Sequence, residues 1–245
     1  MQDKPLQPPK PVTEIWRPEL TRLPLLSRSR RAFRTFSHYL LKLIAKIFLK
    51  VSVDGLENFP KSGPVLVVIN HLGHADLPSL VSSLPYPPDA LGEIELYEVP
   101  VLGKLMDWYG IIWLHRGLPD KRALRAALNG LAEGRAIVIA PEGRYSLTGA
   151  LEEGTGGAAF LAYKSGAPVV PIAITGTENS TLFGNIKKLR RTQVHLKVGK
   201  MFRLAEQVSG RQEAVSEGTR LIMQALADLL PQKYRGAYSI PQTIL

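Results

Sequence analysis

The residues best suited to proton transfer lie in Asn70-His71-Leu72-Gly73-His74-Ala75-Asp76. His71 and Asp76 are five positions apart. On a helix that spacing turns them away from each other, and on a strand it puts them on opposite faces. Only a turn brings them together, and Gly73 permits one. A turned His–Asp pair is a general base: the carboxylate holds one ring nitrogen protonated and leaves the other free to take a proton. The residues alone also allow His71 to be an ordinary loop histidine and Asp76 a helix cap. A metal hydrolase built on His71, His74 and Asp76 is a further option, but three ligands so close need a specialised loop, so His74 reads as a bystander and no metal is expected.

Two other stretches carry charged groups. Pro141-Glu142-Gly143-Arg144-Tyr145-Ser146 sets a carboxylate, a guanidinium and hydroxyls in a Gly-containing loop. Arg offers a planar fork to phosphate and Glu accepts hydroxyl hydrogens, a combination suited to a phosphorylated polyol; an ordinary polar turn is the alternative. His115-Arg116-Gly117 closes an apolar run, with Arg116 as a second candidate cation.

Each stretch follows an apolar run that reads as a strand. These are Val65 to Ile69, Ala136 to Ala140 and Gly110 to Leu114. Pro168 to Ile174 is a further strand, in which Pro171 implies an edge position or a bulge. Gln193 to Val198 alternates as a half-exposed strand does. Helices are expected at 76–83, 101–109, 120–133, 156–165 and 211–230. Buried strands separated by helices mean an α/β fold: a single domain with a mixed, largely parallel central sheet flanked by helices. Polar loops at the C-terminal ends of such strands are where these folds place their sites.

Composition narrows the classes. The chain has 245 residues, 45% of them hydrophobic, which suits a sizeable core. It has no cysteine, which excludes a disulfide scaffold, a thiolate nucleophile and a Cys-ligated metal. No apolar run is long enough to span a bilayer, and no signal peptide is expected. Of the net charge of +10, residues 17 to 50 supply +8, with nine Lys or Arg against Glu19 alone. Within them Phe33, Phe36, Leu40, Leu43, Ile44 and Ile47 share one helical stripe, with Arg31, Arg34, His38, Lys42 and Lys46 opposite. This describes either a surface helix packed on its own domain or a helix lying in a headgroup layer.

Taken together, the stretches resemble the glycerolipid acyltransferases, whose type members are the 1-acylglycerol-3-phosphate acyltransferases. Asn70, His71 and Asp76 match a His-x4-Asp block; Gly110 to Arg116 resembles an aliphatic strand ending in Arg. Pro141, Glu142, Gly143 and Ser146 match a Pro-Glu-Gly-Thr-Arg-Ser block, and Val169 to Ala173 an apolar strand with a central Pro. The resemblance spans about 51 to 205. It departs at Arg144-Tyr145, where the family has Thr-Arg, and at Glu152-Glu153, where a Lys pair is common.

The resemblance implies an O-acyltransferase in which His71 is the base and Asp76 its orienter. Asn70, Arg116, Glu142, Gly143, Arg144, Ser146 and Pro171 are the expected substrate-binding residues. The donor would be acyl-CoA or acyl carrier protein, with no resident cofactor. The acceptor would be a lysophospholipid or glycerol phosphate, 1-acylglycerol-3-phosphate first; the departures keep another lysolipid, glycolipid or aminolipid open. A lipid acceptor favours the headgroup-layer reading of residues 15–50, giving a peripheral protein on an anionic membrane surface, at the cytoplasmic face. Residues 1–14 are expected as a disordered tail, 51–232 as the catalytic domain and 233–245 as a C-terminal tail. The non-enzyme rival is a basic nucleic-acid- or membrane-binding protein; without a recognisable nucleic-acid module, no nucleic-acid partner is expected. Gly154-Thr155-Gly156-Gly157-Ala158-Ala159 fits a dinucleotide fingerprint but does not directly follow a strand, so it reads as a helix entry.

Overall fold

The computed structural model describes residues 8–117, 119–204 and 210–239. Its elements are α1 (Arg28–Phe48), β1 (Leu49–Asp54), β2 (Val65–Ile69), α2 (Asp76–Ser83), β3 (Asp89–Glu93), α3 (Leu102–Tyr109), β4 (Ile112–Leu114), α4 (Lys121–Ala132), β5 (Ala136–Ile139), α5 (Gly157–Ser165), β6 (Val169–Thr175), α6 (Asn179–Lys187), β7 (Thr192–Val198) and α7 (Arg211–Leu229). The strands form one sheet in the order β1-β7-β6-β2-β5-β3-β4. Every pairing is parallel except that of β6 with β7.

Alternation along the central strand builds two cores. Val65, Val67 and Ile69 of β2 pack with Ala45, Leu80, Tyr109 and Leu182, so α1, α2, α3 and α6 cover one face. Leu66 and Val68 pack with Ala127, Leu161 and Leu226, so α4, α5 and α7 cover the other. This is the expected mixed, largely parallel sheet flanked by helices. Because β2 to β6 run parallel, the chain leaves β2, β4 and β5 at one edge of the sheet and delivers all three polar stretches there.

Pro171 lies in β6, an interior strand, so the edge alternative is corrected and the bulge holds. Ile172 pairs with Val198 and Val169 with Phe202, so Gly199 to Met201 face only Val170 and Pro171. The extra residue lies opposite the one position that lacks an N–H, where a regular ladder would need a donor.

Helix α1 turns its apolar stripe outward, contrary to the self-packed alternative, and part of its basic face inward. Its inward residues include Arg34, His38 and Ala45, whereas Phe36, Leu40, Leu43, Ile44 and Ile47 are exposed. Arg34 is accommodated by ionic partners: its guanidinium meets the Asp89 carboxylate, the Tyr109 carbonyl at 3.0 Å and the Pro87 carbonyl at 2.8 Å. Of the predicted stripe, Phe33 is the member that turns partly inward, edge-on to Trp108 at 5.4 Å.

Residues 8–14 do not behave as a loose tail, and with the residues that follow they form a strap across the strand ends. Lys10 Nζ donates to the carbonyls of Glu142 and Glu153, at 2.6 and 2.8 Å. Thr13 exchanges backbone and side-chain bonds with Arg116. At the other end, Tyr234 is buried and donates to Glu178 Oε1 at 2.6 Å, so part of the expected C-terminal tail is also packed. Residues 1–7 and 240–245 of those tails lie outside the described residues.

Candidate active site

The turn after β2 is closed by one carboxylate. Asp76 Oδ2 accepts from the backbone N–H of Leu72 at 2.7 Å and of Gly73 at 2.9 Å, and meets His71 Nδ1 at 2.7 Å. The carboxylate reaches back into the loop rather than onto its own helix, so the capping reading of Asp76 gives way to the dyad. Asp76 is fully buried, while the His71 side chain keeps 26% of its surface exposed. Among the described residues no protein group bonds His71 Nε2. The pair therefore presents one oriented, accessible nitrogen.

Glu142 supports the His71 backbone from beneath. Its Oε1 accepts the His71 backbone N–H at 2.9 Å and its Oε2 the Glu152 N–H at 2.8 Å. Burial is complete and pushes its pKa up to about 7, against the opposing pull of those two N–H donors. Both oxygens serve the backbone, so the expectation that Glu142 accepts substrate hydroxyls is corrected. Asn70 is corrected in the same way: its side-chain amide bonds the Ile174 carbonyl and N–H at 2.8 and 2.7 Å, acting as an extra peptide rung between β2 and β6.

The two candidate cations differ from expectation. Arg144 is buried: its Nε donates to Glu152 Oε2 at 2.6 Å and its Nη1 to the Pro8 and Pro9 carbonyls at 2.9 and 3.2 Å. It therefore pins the strap to the loop and does not offer its fork to the surface. Arg116 reaches the site's rim but is held by Glu93 at 2.6 Å and Glu95 at 3.0 Å. Ser146 Oγ donates to the Ala150 carbonyl, and its N–H to the His71 carbonyl. Gly143 takes a positive φ of 72° in the turn. Pro171 is buried in the sheet.

Tyr145 was not singled out by sequence reasoning as a site residue. Its ring lies 4.1 Å from the His71 ring, and its hydroxyl meets His74 Nδ1 at 3.1 Å. Burial first, then the negative charges of Glu93 and Asp76, pushes the phenol up to about 12, so it keeps its proton at neutral pH. The signal available in the sequence was the displacement of Arg by one position in Arg144-Tyr145. His74 is turned to Tyr145 rather than to the dyad.

The residues carrying this geometry fall within a recognised family. The profile described as Acyltransferase matches residues 50–175, which contain every element from β2 to β6. The chain belongs to the acyltransferase family. A chloroplastic 1-acyl-sn-glycerol-3-phosphate acyltransferase of Arabidopsis thaliana is 30% identical over 177 residues, covering 66% of this chain and 49% of that protein. A lyso-ornithine lipid O-acyltransferase of Pseudomonas aeruginosa is 30% identical over 138 residues, covering 56% of this chain and 52% of its own. The chain thus spans about half the length of the curated relatives it matches. The crystal structure of the 1-acyl-sn-glycerophosphate acyltransferase of Thermotoga maritima superposes with a TM-score of 0.59 at 25% identity, covering 83% of this chain and 84% of that one. That acyltransferase shares the fold.

Proposed function

We propose that the chain moves a fatty acyl group from an acyl thioester, acyl-CoA or acyl carrier protein, to a lysolipid hydroxyl, with 1-acylglycerol-3-phosphate the first acceptor to consider. The observation that carries this is the His71–Asp76 pair at 2.7 Å with Nε2 open to solvent. The acceptor hydroxyl gives its proton to Nε2 as its oxygen attacks the thioester carbonyl. Asp76 holds the Nδ1 proton and stabilises the imidazolium. Collapse of the tetrahedral intermediate breaks the C–S bond, and the imidazolium returns the proton to the leaving thiolate. Base catalysis of this kind is worth roughly 10²–10⁴-fold. The scheme uses no acyl-enzyme and no resident cofactor.

A second acceptor class is favoured by one observation. Arg144 is paired with Glu152, and Arg116 with Glu93 and Glu95, so neither guanidinium is left as an unneutralised phosphate fork. A lysolipid whose headgroup lacks a phosphomonoester suits this balance. Labelled acyl-CoA and acyl carrier protein, assayed against a panel of lysolipids, lyso-aminolipids and glycerol 3-phosphate with products read by mass spectrometry, decide between the classes. No acylated product from any acceptor would overturn the enzyme reading.

The same reading places the protein peripherally on an anionic leaflet at the cytoplasmic face. Among the described residues no helix is long and apolar enough to cross a membrane. The exposed face of α1, with Phe36, Leu40, Leu43, Ile44 and Ile47, supports docking instead. Sedimentation with anionic vesicles, set against gel shifts with DNA and RNA, tests this against the basic nucleic-acid-binding alternative.

A further inference from the structure

Away from His71, α1, α2 and β1 line an open groove of about 640 Å³, within the volume range of small-molecule sites. Its walls differ in chemistry. Lys42 and Lys46 stand on the α1 side and Arg191 on the β7 side, while Leu43 and Leu49 give apolar surface and Tyr39 sits at one end. Among the described residues no Asp or Glu lines it. Among the described residues neither lysine makes an ion pair; Lys42 Nζ lies 5.9 Å from the Tyr39 ring centre. Arg191 is steadied by the Leu49 carbonyl, which accepts from Nε at 2.9 Å and Nη2 at 2.6 Å, and its Nη1 makes no bond among the described residues.

The surroundings extend this charge. The end of α6 and the turn into β7 read Lys187-Lys188-Leu189-Arg190-Arg191. All five residues are exposed, Leu189 at 96% with φ at 53°, a left-handed conformation that an L-residue other than Asn or Asp seldom takes. A leucine held outward between cations is the composition of a contact with an anionic, apolar-cored partner. Leu43 belongs both to the cavity wall and to the exposed stripe of α1, so the groove opens directly onto the surface proposed to meet the leaflet.

We propose that this groove binds one anionic glycerophospholipid of the leaflet, its phosphate between Lys42, Lys46 and Arg191 and the upper part of a chain against Leu43 and Leu49. The inference rests on the membrane reading above. The bound lipid is distinct from the reacting substrates. Ser82 and Ser83, which close the groove, stand at the far end of α2 from Asp76, about 9 Å along the helix axis. The groove thus gives the docked protein a preference for lipid headgroup charge that the apolar stripe alone does not confer.

The test uses the full chain and dihexanoyl-phosphatidylglycerol below its micellar concentration, by calorimetric titration. Expected is saturable binding of one lipid per chain, at least tenfold tighter than dihexanoyl-phosphatidylcholine. K42Q/K46Q should weaken it at least tenfold, as should K46Q alone by a smaller factor if the double variant folds poorly. K121Q/R125Q, an equal charge loss on α4, should leave it unchanged. Equal binding of inorganic phosphate, or equal losses in the α4 control, overturns the lipid assignment. Displacement by coenzyme A with the same sensitivity to K42Q/K46Q moves the groove to the donor and also overturns it. Sedimentation with anionic vesicles separates the two readings. Vesicle binding without monomer binding sinks the groove and leaves the interfacial reading standing; loss of both sinks both.

Discussion

The molecule contains the His-x4-Asp spacing twice, and only one copy is open. His71 with Asp76 follows β2; His115 with Asp120 follows β4, at the same edge of the sheet. The Nδ1–carboxylate distances are 2.7 and 2.8 Å. In the second pair Asp120 also accepts the His115 N–H at 3.1 Å and caps α4 through the Arg122 and Ala123 N–H groups. Its Nε2 is taken: the Arg17 N–H donates to it at 3.0 Å, and the Trp16 ring lies 4.6 Å from the imidazole. The His115 side chain is 8% exposed against 26% for His71. Spacing therefore makes an oriented imidazole in both places. Whether it is a base or a peg depends on what reaches the other nitrogen, here solvent in one case and the strap in the other.

Removing the proposed base should have the largest effect. His71→Ala should lower kcat by roughly 10³-fold or more with the thermal midpoint little changed; a folded variant keeping more than a few per cent of turnover would break the comparison. Asp76→Asn should follow, with a loss of roughly 10²-fold or more, because the amide can offer its N–H to Nδ1 and favour the wrong tautomer. It should also lower stability, since two backbone N–H groups rest on the same oxygen.

Glu142 provides a pH test that the second pair lacks, because His115 takes its backbone support from Asp120 itself. The folded pKa of Glu142, about 7, lies above the ordinary glutamate value, so its neutral form is the one favoured by the fold. Its contribution is complete below about pH 4.5 and is lost as the pH rises through 7, on the order of 3 kcal/mol in all. Chemical denaturation from pH 4.5 to 8, compared with Glu142→Gln, should show that decline in the wild type and not in the variant; parallel curves would refute it.

The closed pair should give the smallest change in turnover. His115→Ala should cost about 1–3 kcal/mol of stability, from the lost bonds and ring contact, with kcat within about twofold of wild type. A kinetic loss approaching that of His71→Ala would mean that the strap moves and the second imidazole takes part.

The open pair was legible because it needs only a turn and a glycine, both local. Its counterpart was not: Asp120 read as a helix start, and the strap residue that closes His115 lies 98 positions earlier. Strands β2, β5 and β6 were legible as buried aliphatic runs. By contrast, β3 is Asp-Ala-Leu-Gly-Glu, whose Asp89 is buried only because Arg34 and Arg135 meet it. Helix α6, Asn-Ser-Thr-Leu-Phe-Gly-Asn-Ile-Lys, has weak helix formers and a blurred stripe. The start of β1 was absorbed into the helix before it, because Leu49 and Lys50 continue the apolar and basic period. Arg34 also explains which face of α1 packs inward, since a hydrophobicity pattern cannot foresee a cation turned inward onto a distant carboxylate. Arg144 failed similarly, as its partner Glu152 looked like added surface charge.

The edge strand β1 carries a consequence for biosynthesis. Among the described residues it pairs with β7 alone, Leu49 opposite Thr192, so its partner leaves the ribosome about 140 residues later. At 5–20 residues per second that is roughly seven to thirty seconds. During this interval β1 lacks its pairing partner, while the aliphatic side of α1, exposed in the finished fold as well, is already displayed. If the chain docks as proposed, attachment to a bilayer can precede completion of the sheet, and the last long-range pairing then forms on a chain already confined to two dimensions.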